Sequence, residues 1–132
     1  MKVFLDANIL FSASVESSAT RRLLGLLSRK DKPVTGPHAW EEARRNLDRT
    51  RPHLLQGLEG LRDIVTISHA FNLPPDLAVS EEDKPILAGA IGAECTHLWT
   101  SDRLHFGALY GTTLHGVTVV SSIQLADALQ CA

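Results

Sequence analysis

Apolar positions in this chain fall into short unbroken blocks separated by stretches of helical period. Val3-Phe4-Leu5 is such a block, ends at Asp6, and reads as a buried strand leading into a loop. Over residues 20–27, Leu23, Leu24, Leu26 and Leu27 recur at helical spacing among Arg21, Arg22, Arg29 and Lys30, which predicts an amphipathic helix with a basic outer face. Lys32-Pro33-Val34-Thr35 precedes Gly36-Pro37, and a proline at the first helical position opens a helix running to about Leu47, with Ala39, Trp40, Ala43 and Leu47 on its apolar face. Arg51-Pro52 ends it, and a short helix over 54–61 leads to a β-branched strand over 63–67.

Residues 71–80, with Pro74-Pro75, form the clearest loop and stop at Ser80-Glu81-Glu82-Asp83, a helix start. Ile86, Leu87, Ala90 and Ile91 mark that helix. His97-Leu98-Trp99-Thr100 is the next strand, ending at Ser101-Asp102, and Val117-Thr118-Val119-Val120 the last, before a helix over 121–129. The strands are apolar runs, without the alternation of a half-exposed sheet, and helices lie between them. That combination predicts an α/β fold, a parallel sheet covered by helices on both faces.

The length of 132 residues suits one domain, spanning 1–132, and 44% hydrophobic content supplies its core. A net charge of −2 hides an asymmetry. Residues 21–62 carry ten Lys/Arg against five Asp/Glu, and residues 63–132 carry two against eight. Cys95 and Cys131 offer no disulfide framework and read as plain thiols. Asp6 and Asn8 interrupt the apolar N-terminus, and no stretch reaches the roughly 20 apolar residues of a membrane span. The expectation is a cytoplasmic protein that does not meet a membrane.

In an open parallel sheet, ligands gather outside the carboxyl ends of the strands. Asp6 and Asp102 each follow a strand, Asp83 starts a helix facing the same edge, and Glu41 or Glu42 lies early in the helix after Gly36-Pro37. Converging carboxylates repel by up to about 4 kcal/mol per pair at about 4 Å, so the cluster calls for a cation or raised pKa values. All-oxygen ligation suits Mg²⁺ or Mn²⁺, and the Cys and His spacings show no zinc pattern. Such an ion supports hydrolysis of a phosphodiester.

Each residue also has a structural explanation. Asp83 can cap a helix with Ser80, Asp102 can serve a turn, and Glu41 and Glu42 suit a helix dipole. His105, three residues after Asp102, can orient a phosphate or simply face solvent, and the other histidines, 38, 53, 69, 97 and 115, show no ligand spacing. Arg44, Arg45, Arg49 and Arg51 form a solvated face or a phosphate track, with Arg103 a further cation beside Asp102. Trp40 and Trp99 read as core. No G-x-S-x-G elbow supports a serine hydrolase.

Four segments taken in order, Val3-Phe4-Leu5-Asp6-Ala7-Asn8-Ile9-Leu10, Trp40-Glu41-Glu42-Ala43-Arg44, Asp83-Lys84-Pro85-Ile86-Leu87-Ala88 and Thr100-Ser101-Asp102-Arg103-Leu104-His105-Phe106-Gly107, resemble the PIN-domain nucleases, including the VapC-like toxins of toxin-antitoxin pairs. The resemblance implies a parallel sheet of order 3-2-1-4-5, with the first and fourth strands adjacent. It also implies that Asp6, Glu42, Asp83 and Asp102 bind Mg²⁺ or Mn²⁺ for endonucleolytic cleavage of single-stranded RNA, with Asn8, Thr100, Ser101 and His105 supporting them. Glu42 is preferred to Glu41 for its spacing to Leu47 and its place nearer the Ala39, Ala43, Leu47 face. Ser101 stands where the family often has Gly. The stretch Asp102 to Gly107 is most similar to a branch typified by Gly-Asp-Lys-x-His-Phe-Gly.

The implied partners are RNA, an antitoxin and a second copy of the chain, with Arg44, Arg45, Arg49 and Arg103 on the RNA. A non-catalytic binding module of the same fold is the alternative, and it requires a broken acidic set. A phosphatase or receiver domain phosphorylated on aspartate is a further one, but Asp6-Ala7-Asn8 lacks the second acid such enzymes carry.

Overall fold

A computed structural model describes residues 1–131; residue 132 and the side chain of Cys131, and with it the expectation of a plain thiol there, lie outside the described residues. In chain order the elements are β1 (Lys2–Leu5), α1 (Ala7–Ala13), α2 (Ala19–Lys30), β2 (Lys32–Thr35), α3 (Pro37–Thr50), α4 (Leu55–Gly60), β3 (Thr66–Ile67), α5 (Lys84–Gly92), β4 (His97–Trp99), α6 (Arg103–Phe106), β5 (Thr113–Leu114), β6 (Val117–Val120) and α7 (Ser122–Cys131). Single 3-10 turns flank α4 at Pro52–Leu54 and Leu61–Asp63.

The sheet order is β3-β2-β1-β4-β6-β5. Its first five strands are parallel and carry the order expected from the resemblance, with β6 in fifth place. The departure is β5, an antiparallel edge strand that makes the sheet mixed. It arises from a tight hairpin in which His115 and Gly116 both take positive φ, 49° and 84°. Two such central residues make the turn whose twist matches paired strands, and glycine adopts that conformation without a side-chain penalty.

Two further expectations are corrected. Asp6 leads directly into α1 and not into a loop, because its carboxylate accepts the Ala7 N–H and starts the helix. The strand placed at 63–67 is reduced to Thr66–Ile67, since Leu61–Asp63 takes a 3-10 turn whose closing bonds run from Ile64 N and Val65 N to the Leu61 carbonyl.

Successive residues Val3, Phe4 and Leu5 are all buried, so both faces of the central strand are covered. Trp99, Phe4, Phe106 and a set of leucines from α1, α2, α3 and α5 fill one continuous core. The basic helix α2 buries Leu24 and Leu27 and leaves its cations outside. Register places Leu5 opposite Trp99 and Trp99 opposite Val120. The next residues of β1 and β4, Asp6 and Thr100, therefore leave the sheet side by side.

Candidate functional site

Asp6 is still within the ladder, its N–H donating to the Trp99 carbonyl at 3.1 Å. Only 4% of its surface is exposed. A buried carboxylate must be hydrogen-bonded, and three donors serve this one: Ala7 N–H at 2.7 Å, the Thr100 hydroxyl at 2.8 Å and the Asn8 amide at 3.3 Å. The same Thr100 oxygen accepts the Asp102 N–H at 3.1 Å, and the Asn8 carbonyl oxygen accepts the Ser101 N–H at 3.0 Å. One hydroxyl and one amide thus tie the end of β1 to the turn after β4. Tyr110 braces that turn from outside, its hydroxyl donating to the Thr100 carbonyl at 2.9 Å.

Asp102 caps the short α6 by accepting the His105 N–H at 3.1 Å, so its turn role and its place in the crevice coexist. Asp83 stands at the N-cap of α5 but makes no side-chain cap bond. Its carboxylate instead accepts the Ser80 hydroxyl at 2.6 Å and faces His105 Nδ1 at 3.1 Å. The same ring nitrogen lies 3.2 Å from Asp102, and Nε2 is 3.9 Å from Glu82. Asp83 is 6% exposed and, like Asp6, sits at the carboxyl edge of the sheet.

Asp6, Glu42, Asp83 and Asp102 line one crevice of about 100 Å³ together with Asn8, His38, Glu82 and His105. Glu41 does not join it. That side chain is exposed and paired with Arg44 through bonds of 2.9 and 2.6 Å. Helix α3 thus points the two adjacent glutamates in different directions, and only Glu42 reaches the acids.

Burial, more than any other influence, pushes the Asp6 carboxyl above the ordinary aspartate range. The bonds from Thr100 and Ala7 pull it back, while Glu42 and Asp102 push it further up. Asp83, and after it Asp102, hold the His105 imidazole above its usual value and so favour the imidazolium. Among the described residues none of the four acids forms a salt bridge with Lys or Arg. The pairing of Asp83 and Asp102 with His105 is the local charge compensation.

The acids and Asn8 offer carboxylate and amide oxygen, chemistry that fits a hard divalent cation, alongside the imidazoles of His38 and His105. Among the described residues no three His, Cys, Asp or Glu side chains are already gathered closely enough to hold one, and the His105 ring lies between two of the acids.

The expected cations are spread unevenly. Arg49 lines an open groove of about 480 Å³ between α1 and α3 that shares Asn8 and Glu42 with the acidic crevice. Arg44 is committed to Glu41, Arg45 is exposed, and Arg103 is exposed at the start of α6. Ser101 contributes its N–H to Asn8. Trp40 and Trp99 are core residues, Trp40 with the Arg62 guanidinium 4.6 Å from its ring centre.

Sequence pattern alone does not single out His38, Ser80, Glu82 and Tyr110 for the site. The first and third were legible from topology, since His38 follows β2 and Glu82 precedes α5 on the edge where the other acids lie. In the sequence Ser80 shows only the spacing of a cap partner, and nothing in sequence separation connects Tyr110 to Asp6.

No family model and no curated protein matches this chain. Solved structures do. The VapBC2 crystal structure from Rickettsia felis, bound to a DNA fragment from their promoter, superposes with a TM-score of 0.66 at 14% identity, over 92% of this chain and 98% of that one. Mycobacterium tuberculosis VapC20, a toxin that cleaves the sarcin-ricin loop, does so with a TM-score of 0.58 at 16% identity, over 86% and 97%. At such identities the likeness is one of architecture, and the chain has the PIN-like fold of these VapC structures.

Proposed function

We propose that this protein is an Mg²⁺- or Mn²⁺-dependent endoribonuclease that hydrolyses phosphodiester bonds of single-stranded RNA, acting as the toxin of a toxin-antitoxin pair. The single observation that carries the reading is the crevice lined by Asp6, Glu42, Asp83 and Asp102, none of which has a lysine or arginine partner among the described residues. Asp6, Glu42, Asp83 and Asp102 would hold the metal, which when bound supplies Lewis-acid activation of water and steadies the leaving oxygen. Thr100 and Asn8 keep the Asp6 carboxylate ionisable despite its burial, through the hydroxyl and amide they donate. Arg49 in the adjoining groove serves the phosphate backbone, and Arg44, Arg45 and Arg103 are further cations for the RNA.

The architecture shared with VapC20, a cleaver of the sarcin-ricin loop, and with VapBC2 supports the toxin role and an antitoxin partner. A homodimer and a cytoplasmic location belong to the same reading, and no helix among the described residues is long and apolar enough to cross a membrane. The test is RNA cleavage by purified Asp6→Asn and Asp102→Asn variants in Mg²⁺ or Mn²⁺. Loss of cleavage in both, with circular dichroism unchanged, is the expected result. Wild-type-like cleavage by both variants rejects the assignment.

A further inference from the structure

Beside the acidic crevice lies a second pocket of about 220 Å³, lined by Phe71, His38, His69 and Ile86 over the ring of Phe4. His38 and Ile86 line both cavities, so the two adjoin. Phe71 is 62% exposed, although large aromatic side chains normally bury most of their surface.

The backbone that carries Phe71 is held firmly. Ser68 N–H donates to the Thr35 carbonyl at 2.8 Å, continuing the β2–β3 ladder, and Ala70 N–H donates to the Ser68 hydroxyl at 3.2 Å. Asn72 N–H donates to the Ala88 carbonyl at 3.0 Å, which fastens the segment to α5. At Gly92 the contact is closer than any side chain allows, since a Cβ there would stand 2.5 Å from Phe71 N. An aromatic ring on a pinned backbone, left open to solvent, loses little conformational entropy when something flat is laid on it.

Resting on the ribonuclease reading above, we infer that this pocket receives one unpaired base of the RNA next to the phosphate in the acidic crevice, with Phe71 as its stacking platform. Its lining is mostly apolar and aromatic, with Ser68 and the imidazoles of His38 and His69 as its polar groups, and holds no lysine or arginine, which suits a base better than a phosphate. Bases in single-stranded RNA are recognised in this way because every base has a π-face, while the grooves of an A-form duplex hide theirs. The arginine of the other groove takes the backbone; the phenylalanine takes the base. Phe71 touches substrate but not the reacting atoms, so it governs binding.

The experiment measures equilibrium binding, in EDTA, of a fluorescein-labelled single-stranded RNA of about ten nucleotides and of the matching abasic ribose-phosphate oligomer. Wild-type protein should prefer the RNA by about tenfold. Phe71→Ala should lose about tenfold on the RNA and nothing on the abasic oligomer, with an unchanged salt dependence, and Phe71→Trp should restore the preference. Equal losses on both oligomers, or no loss on either, overturn the pocket. Cleavage in Mg²⁺ is followed separately. Cleavage by the wild type alongside an unaltered base preference in Phe71→Ala removes only this inference, whereas a wild type that neither binds nor cleaves RNA removes the ribonuclease reading and the pocket with it.

Discussion

Thr100→Val keeps the shape of a fully buried side chain and deletes one hydroxyl, so it isolates what that hydroxyl does. In the wild type the hydroxyl donates to Asp6 at 2.8 Å and its oxygen accepts the Asp102 N–H at 3.1 Å. A hydrogen bond to a charged group is worth about 1.5–3 kcal/mol net, and a stranded, partly buried N–H adds about 1 kcal/mol. No cavity forms, so the expected loss at neutral pH is about 3 kcal/mol. The loss depends on pH. The folded Asp6 binds its proton more tightly than the unfolded chain does, so its ionisation erodes stability as pH rises from the ordinary aspartate range through the folded value. The Thr100 bond opposes that erosion, and the variant should show it more strongly. On the acid side, with Asp6 protonated in both proteins, a neutral bond of about 1 kcal/mol is missing in place of the charged one and the stranded N–H still adds about 1 kcal/mol, so the loss falls to about 2 kcal/mol. Urea unfolding across that range gives both numbers. A loss below about 0.5 kcal/mol at neutral pH, or one equal on both sides of the Asp6 titration, would refute the claim that Thr100 supports an ionised carboxylate.

Three other outcomes follow from the structure. Gly57→Ala puts a Cβ 2.0 Å from the Ser14 carbonyl oxygen, where α4 packs on the end of α1; urea unfolding should show a loss of about 1–3 kcal/mol, and a stabilised variant contradicts that packing. His105 has its folded pKa raised above the unfolded value by Asp83 and Asp102, so its contribution is present below the ordinary histidine value and disappears as pH rises through the folded one. The melting temperature of His105→Gln should therefore fall further below wild type at about pH 6 than at about pH 9, and a flat or reversed difference counts against the imidazolium bridge. Cys95 is buried and its thiol is pushed up to about 11 by desolvation; peptide-level mass spectrometry should find it unalkylated by iodoacetamide until the protein is unfolded.

Local pattern made much of this architecture legible. The apolar runs at Val3, Leu98 and Val117 are buried strands as read, and the leucine spacing of α2 and the Gly36-Pro37 start of α3 mark helices that run beyond the expected ends, to Lys30 and Thr50. Local pattern failed where a single hydrogen bond outweighed it. Nothing in residues 6–13 announces a helix until Asp6 is seen to cap it, and the His115-Gly116 turn shows as a hairpin only when β5 has β6 beside it.

Residue order alone carries the chemical repertoire of the chain: acids after strands, no thiolate or histidine spacing for zinc, and a basic half opposed to an acidic one. Convergence was a matter for the tertiary structure, because the register of β1 against β4 brings Asp6 to Thr100 across 94 positions of chain. The preference for Glu42 over Glu41 was legible in spacing, but its geometry was not. Neighbours on a helix diverge by about 100°, and only the packing of α3 shows that Arg44 takes the first outward while the second turns to the crevice. Residue types follow from composition and period; distances between them depend on how the sheet and its helices pack, which no local window contains.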